Sequence, residues 1–218
     1  MERIARALEL AQWVVVVGMF VVGAALWPST PEAVPVHWNL AGQVDRYGGK
    51  FEGLFGVPIV ALLVLVLFEL LPRFDPHRAR YAEFKTAYTA IRLGVLAVLA
   101  CVYAVIPLWT QGVQVSIGPV IGTSIGAVFI LIGLVIDQIK PNWFIGIRTP
   151  WTLSSERAWV ATHRAARWVF VALGGALICA GFLQSDLVLL GTIGGGLVGL
   201  LGLVVYSYLI WRQAGTTA

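Results

Sequence analysis

The sequence predicts an all-α membrane protein, a polytopic helical bundle with about six transmembrane helices. Of the 218 residues, 59% are hydrophobic and only 12% are charged, whereas a soluble domain carries about a quarter charged residues. The apolar residues cluster into runs of about 18 residues or more, the length that crosses the hydrocarbon core of a bilayer. We therefore expect a single membrane domain over residues 1–218, surrounded by the lipid bilayer and without a separate soluble catalytic domain.

Six apolar spans can be drawn along the chain. They are Leu8–Trp27, Leu54–Leu71, Ala87–Trp109, Pro119–Ile139, Trp168–Gln184 and Leu187–Trp211. The first span resembles a signal peptide, but it is too long for a signal core and no small-residue cleavage site follows it closely. We interpret it as a retained helix. Two polar segments lie between the spans, residues 28–53 and residues 140–167.

The distribution of basic residues predicts the orientation of the chain. Thirteen of the 15 Lys and Arg residues lie at the N-terminus, in the loops after the second and fourth spans, or at the C-terminus. Only Arg46 and Lys50 lie on the other side. Because cytoplasmic loops carry the excess of basic residues, we expect cytoplasmic N- and C-termini, an extracytoplasmic loop at 28–53, and a cytoplasmic loop with an interfacial helix at 140–167. This loop pattern explains the positive charge without direct nucleic acid binding.

Glycine recurs at every fourth position in two of the spans, so each set occupies one helix face. Missing side chains on such a face let another backbone approach closely. We interpret both sets as helix-packing faces, and a helix-packed homo-oligomer is left open. The residues are Gly118, Gly122 and Gly126 in the fourth span and Gly191, Gly195 and Gly199 in the sixth.

The outer polar segment contains three residues that a folded loop could bring together. His37, Asn39 and Asp45 lie among prolines and glycines, which favour extended chain and tight turns. In one interpretation, His37 and Asn39 cap turns and Asp45 pairs with Arg46 or Lys50. In the others, the three residues bind a ligand or peptide, or His37 and Asp45 hold a metal ion; the metal status is left open.

The inner polar segment is richer in candidates. Pro141 and Pro150 bracket an irregular loop, after which Ser154 is the expected N-cap of a helix. Arg148 lies near the membrane surface, where Asp137 or Glu156 is the expected partner.

The helix that follows is expected to carry its polar and aromatic residues on one face. Spacings of three and four align Glu156, Trp159, Val160, His163 and Arg167, and Asn142, Arg148 and Thr152 are expected to fold over this face. The opposite, alanine-rich face is expected to pack against the bundle. The residues fit a structural anchor, a partner-binding surface, or an acid/base pair of Glu156 and His163.

The residues of the inner segment resemble a known family. The stretch NWFIGIRTPWTLSSE at 142–156, followed by Trp159 and by THR at 162–164, looks like the signature of the SdpI family. These are bacterial membrane immunity proteins against the sporulation-delaying toxin. The fit is closest at Gly146, Arg148, Thr149, Pro150, Trp151 and Glu156. The outer stretch PVHWNLAGQVD at 35–45 resembles a domain of unknown function often found at the N-terminus of SdpI-like proteins.

The resemblance implies a multi-pass protein of the bacterial cell membrane with a role in toxin resistance and signal transduction. It implies two partners, a secreted peptide toxin outside and a small repressor protein inside. We expect the ligand- or partner-binding residues to be Asn142, Arg148, Thr149, Trp151, Thr152, Glu156, Trp159, His163, His37, Asn39 and Asp45.

Two alternatives remain beside that interpretation. One is a membrane enzyme that uses Glu156, His163 and Arg148 on a lipid or peptide. The other is a small transporter, which the scarcity of charges within the spans argues against. The sequence has no HExxH motif and no phosphate-binding glycine loop, and no cofactor is expected. Cys101 and Cys179 lack a CxxC partner and are interpreted as small buried hydrophobic residues.

Overall fold

A computed structural model describes residues 2–39 and 42–215, and in this part of the chain six helices are long and apolar enough to cross a membrane. The predicted all-α membrane bundle is therefore confirmed. The helices are α1 (Glu2–Leu26), α2 (Lys50–Phe74), α3 (Lys85–Thr110), α4 (Ile117–Val135), a short α5 (Pro150–Ser154), α6 (Glu156–Leu183) and α7 (Asp186–Gly215). Two 3-10 turns, Arg78–Ala82 and Ile136–Gln138, follow α2 and α4.

A β-hairpin between α1 and α2 is an element that the sequence did not predict. Strands β1 (Ala33–Trp38) and β2 (Val44–Gly49) pair antiparallel, with Ala33 opposite Gly49. The hairpin is held on the bundle by Val34, which is completely buried against Gly53 of α2. Because β2 leads directly into α2, that helix begins at Lys50, before the expected span.

The spanning helices form two groups. Helices α1, α2 and α3 pack on one another, and α6 packs on both α4 and α7. Contacts between α3 and α4 join the groups. Six spans return the chain to its starting side, so α1 begins and α7 ends at the end of the bundle that carries residues 136–155. We call this the motif end, and the opposite end the hairpin end.

Glycine allows α4 and α6 to touch along their backbones. A Cβ atom added to Gly122 would lie 2.7 Å from the Cα of Gly181, and one added to Gly126 would lie 2.5 Å from the carbonyl oxygen of Gly174. The packing face expected in the fourth span is thus present. In α7 the interpretation holds only at Gly199, where an added Cβ atom would lie 3.0 Å from Val169 of α6, whereas Gly191 and Gly195 meet no atom within 4 Å in the described chain.

Helix α6 corrects the predicted boundary between an interfacial helix and the fifth span. It runs unbroken over Glu156–Leu183, because no proline or glycine interrupts residues 156–173. Its N-cap is Ser155, not Ser154: the Ser155 hydroxyl accepts a hydrogen bond from the amide of Ala158 at 3.2 Å.

The outer surface of the bundle is apolar, as expected of helices that contact lipid. Trp168, Leu187 and Val198 are each at least 70% exposed. Cys101 and Cys179 are also exposed, so their interpretation as buried residues is wrong. In a bilayer an apolar side chain leaves water without needing protein around it, and burial inside the protein therefore does not follow from hydrophobicity.

Candidate functional site

The candidate residues fall into two groups at opposite ends of the bundle. Those of residues 142–163 surround a compact loop at the motif end, which we call the motif loop (residues 140–155). His37, Asn39 and Asp45 lie on the hairpin. The two groups therefore cannot form one site within a single chain.

The second half of the motif loop is fixed by two threonines. Thr149 caps α5, its hydroxyl accepting from the Thr152 amide at 3.1 Å while the Thr149 amide donates to the Thr152 hydroxyl at 2.9 Å. This reciprocal capping box satisfies amides that a five-residue helix would leave unpaired. The Thr149 hydroxyl also lies 3.2 Å from that of Ser207, and the ring of Trp151 packs on Tyr208 at 5.3 Å, so α5 is tied to α7.

The stacked side chains of His163 and Trp159 contact the middle of the motif loop. His163 is 1% exposed and stacks on Trp159, with ring centroids 4.1 Å apart. The amide of Ile147 donates to Nε2 of His163 at 3.1 Å, and Nδ1 lies 2.8 Å from the carbonyl oxygen of Trp159. A carbonyl only accepts, so Nδ1 carries the proton and Nε2 is the acceptor. Both ring nitrogens form hydrogen bonds to backbone groups. This arrangement suits His163 to positioning the loop and not to proton transfer.

Gly146 lets the loop lie directly on this stacked pair. Its φ angle is +114°, which L side chains rarely adopt. A Cβ atom here would collide with Nε2 of His163 and would lie 3.2 Å from the indole ring of Trp159. The Trp159 indole is itself fixed, because its Nε1 donates to the carbonyl of Ile139 at 2.8 Å.

Asn142 closes the first turn of the loop. Its side chain is completely buried. The side-chain oxygen accepts from the amides of Phe144 at 2.9 Å and Ile145 at 2.7 Å. The side-chain nitrogen donates to the carbonyls of Lys140 and Ile145, both at 2.9 Å. An amide group is needed because it alone supplies both donors and an acceptor at one position.

Asp75, just after α2, is a site residue that sequence reasoning missed. Its side chain is fully buried and accepts three hydrogen bonds: from the amide of His77 at 2.7 Å, the hydroxyl of Tyr81 at 2.9 Å and the amide of Trp143 at 2.9 Å. Burial and the hydrogen bond to Asp75 raise the pKa of Tyr81 above its ordinary value, so the hydroxyl remains a donor. Asp75 thus joins the motif loop to the turn after α2.

Two predicted pairings of the motif loop are wrong. Arg148 donates to the carbonyl oxygen of Trp143, and among the described residues it forms no ion pair with Glu156 or Asp137. Asp137 pairs with Arg167 instead, at 3.2 Å. Glu156 is exposed while Trp159 and His163 are buried, so the expected shared face does not exist.

The buried face of α6 differs from the predicted one. It carries Ala158, Trp159, Thr162, His163 and Ala166. Trp159 and His163 therefore share a face with two alanines, and the expected separation of a polar face from an alanine-rich packing face is wrong. The reason is that the motif loop and the bundle both cover α6 here, so large and small side chains pack on the same side.

At the hairpin end, His37 and Asp45 do meet. Nδ1 of His37 lies 2.6 Å from Oδ1 of Asp45, because the two strands place them across the hairpin. Asn39 turns away and bonds to Gln43, accepting from its amide at 3.0 Å. Within residues 2–39 and 42–215, no group of three or more His, Cys, Asp or Glu side chains is arranged to hold a metal ion.

The expected pairing of Asp45 with Arg46 or Lys50 is wrong. Arg46 pairs with Glu52 at 2.8 Å, and Lys50 lies 3.7 Å from Glu32. Asp45 therefore keeps its contact with His37, and both side chains are well exposed, 61% for His37 and 41% for Asp45.

The geometry defines a multi-pass membrane protein with a polar-anchored loop at one end and an exposed hairpin at the other. Residues 138–210 match the model of the SdpI/YfhL protein family, and residues 14–62 match a domain of unknown function, DUF1648. The resemblance to the SdpI family, and to the domain that accompanies it, is thus confirmed.

A curated relative extends this similarity over most of the chain. The chain is 26% identical over 171 residues to the immunity protein SdpI of Bacillus subtilis (strain 168), covering 78% of this chain and 80% of the relative. No solved structure matches the chain.

Proposed function

We propose that this chain is a membrane immunity protein like SdpI, in which the hairpin meets a secreted peptide toxin and the motif end holds a small repressor protein. The observation that carries the proposal is the motif loop. The residues that resemble the family are used to build one fixed surface, with Asn142, Trp159 and His163 buried beneath it and Trp143, Arg148 and Leu153 exposed on it.

The division of the site into rigid support and exposed surface favours a binding role over catalysis. A partner surface needs side chains that are accessible and held in place, and it gains affinity when its backbone is ordered before binding. An acid/base pair needs two groups within hydrogen-bond reach of one substrate. Glu156 is exposed and His163 has both nitrogens bonded to backbone, so the enzymatic alternative has no support from this geometry.

The proposal requires the motif end to face the cytoplasm. The excess of basic residues at this end supports that orientation. Reporter domains fused after Trp211, or inserted between Arg78 and Arg80, are expected to indicate a cytoplasmic location. A reporter inserted near Gly48 is expected to indicate an extracytoplasmic location. Paired alkaline phosphatase and fluorescent protein fusions measure this. A cytoplasmic signal from the Gly48 insertion would show that the orientation is reversed.

The toxin function is tested in Bacillus subtilis cells that lack their own SdpI and express this chain while exposed to the sporulation-delaying toxin. We expect growth to be restored. Asp45→Asn is expected to lower the tolerated toxin concentration by at least about tenfold, since a charge-assisted hydrogen bond contributes about 1.5–3 kcal/mol. Glu32→Gln, the same change of charge just before β1 at a side chain 92% exposed, is the control and is expected to protect fully.

The same cells test the motif end if the repressor carries a fluorescent tag. Toxin is expected to draw the repressor to the membrane in cells with the unmodified chain, and less so with Glu156→Gln, provided immunoblots show equal amounts of protein. Failure of the unmodified chain to protect would reject the proposal as a whole. Full protection by Asp45→Asn, or unchanged recruitment by Glu156→Gln, would reject the role of the corresponding end.

A further inference from the structure

A polar cleft of about 230 Å³ opens between α1, α2 and α3 at the motif end, and it shares Tyr81 with the contacts of the motif loop. Its wall carries four charged side chains, Glu9, Glu69, Lys85 and Arg92, together with Tyr88. Charged residues within membrane spans are costly and commonly mark a site, and Glu69 and Arg92 lie within α2 and α3. Nothing in the motif loop or the hairpin uses them.

The four charges form two pairs and leave the cleft neutral. Lys85 lies 3.0 Å from Glu9, and Arg92 lies 2.9 Å from Glu69. A cleft of zero net charge does not favour a purely anionic ligand. It presents separated positive and negative groups side by side, which suits a ligand that carries both signs.

Hydrogen-bonding capacity remains unused in this cleft. Arg92 is 7% exposed, its guanidinium lies over the ring of Tyr88 at 5.6 Å, and its Nε has no hydrogen-bond partner among the described residues. A buried donor left unpaired costs free energy, so the polar contacts around the Arg92 guanidinium are incomplete. Lys85 and Glu69 have side chains 51% and 59% exposed, so a further donor and a further acceptor are accessible.

The height of the cleft matches the boundary between headgroups and acyl chains. Lys85 is the first residue of α3, and Arg92, seven residues later, lies about 10 Å deeper along the helix. The polar layer of one leaflet is roughly 5–8 Å thick. A group reaching from Lys85 to Arg92 therefore extends from the interface into the upper hydrocarbon region.

We propose that this cleft binds the zwitterionic headgroup of a phosphatidylethanolamine lipid. The phosphate lies at Arg92 and Lys85, and the primary ammonium donates to the carboxylates of Glu69 and Glu9. The neutral cleft disfavours phosphatidylglycerol, which has no ammonium. Phosphatidylcholine carries the same charges but its trimethylammonium has no N–H donor, so it loses the hydrogen bonds to the carboxylates.

Binding is measured by native mass spectrometry of the full chain released from detergent with defined lipids. We expect one phosphatidylethanolamine to bind at least about tenfold more tightly than phosphatidylcholine or phosphatidylglycerol. Equal binding of the three lipids, stronger binding of either of the other two, or no retained lipid would overturn the proposal. Displacement by free phosphoethanolamine would assign the cleft to a soluble compound and overturn the lipid assignment.

Two substitutions, Glu9→Gln and Lys85→Gln, test the charges of the cleft without breaking the pair of Arg92 with Glu69. Glu9 and Lys85 are partly exposed, so their pair contributes little to folding. Glu9→Gln makes the cleft positive and is expected to shift the lipid preference towards phosphatidylglycerol. Lys85→Gln is expected to weaken the binding of both phosphatidylethanolamine and phosphatidylglycerol. Glu83→Gln and Arg78→Gln change exposed residues outside the cleft and are expected to leave binding unchanged. An unchanged lipid preference in Glu9→Gln would contradict the proposal.

Discussion

Replacing Gly146 by alanine is expected to lower the free energy of unfolding by about 2–5 kcal/mol, the sum of backbone strain and a steric collision. The strain arises because φ is +114° at this position. The collision arises because the new Cβ would meet Nε2 of His163, the atom that accepts the Ile147 amide. Thermal unfolding in detergent, followed by tryptophan fluorescence, measures the loss.

Gly112→Ala is the matched control for this substitution. Gly112 also has a positive φ angle, +81°, but a Cβ atom there meets nothing within 4 Å in the described chain. Its substitution is expected to cost only the strain, about 1–2 kcal/mol. If both variants lose the same stability, the close approach of the loop to His163 does not matter energetically and the packing described for the motif loop is wrong.

Asp75→Asn is expected to destabilise the protein by about 3 kcal/mol, because a buried polar group is left unpaired. The carboxylate accepts three hydrogen bonds, from His77, Tyr81 and Trp143. An asparagine has one oxygen, so in either orientation its NH₂ group faces another donor. Beyond the stability loss, hydrogen exchange is expected to accelerate at the His77 amide or the Trp143 amide, whichever the NH₂ group faces.

Asp137→Asn controls for the loss of a carboxylate at the same end. The pair of Asp137 with Arg167 is partly exposed, 30% and 38%, so its removal is expected to cost about 0–1 kcal/mol. Exchange at the His77 and Trp143 amides should remain at the level of the unmodified protein. Equal exchange at both amides in Asp75→Asn and Asp137→Asn would mean that Asp75 does not hold these two segments together.

The membrane class and the six spans could be predicted because they depend on local composition. A run of about 18 apolar residues is sufficient evidence for a span, whatever its neighbours are. The β-hairpin was missed because short strands carry a weaker pattern than membrane helices. The sequence does not reveal that α6 is unbroken, because the residues change from polar to apolar near Trp168 and this change suggests a boundary. A helix ends only where a capping residue or a helix-breaking residue ends it.

The site was less predictable because its contacts are distant in sequence. Asp75 lies 68 residues before Trp143, and nothing near it distinguishes it from an ordinary loop carboxylate. The sequence predicts a carboxylate partner for Arg148. The turn around Gly146 instead brings Arg148 to the carbonyl oxygen of Trp143, five residues earlier in the chain. The contact of His37 with Asp45 was easier to anticipate, because a short loop has few ways to fold back on itself.

The continuity of α6 makes this helix a lever across the whole membrane. Its 28 residues extend about 42 Å, so a tilt of about 5° at one end displaces the other by roughly 4 Å. The first turns of this lever carry Trp159 and His163 under the motif loop, and its later turns are pressed against α4 at Gly174 and Gly181. Because no proline or glycine interrupts residues 156–173, we expect a tilt of α6 to move Trp159, His163 and the motif loop together.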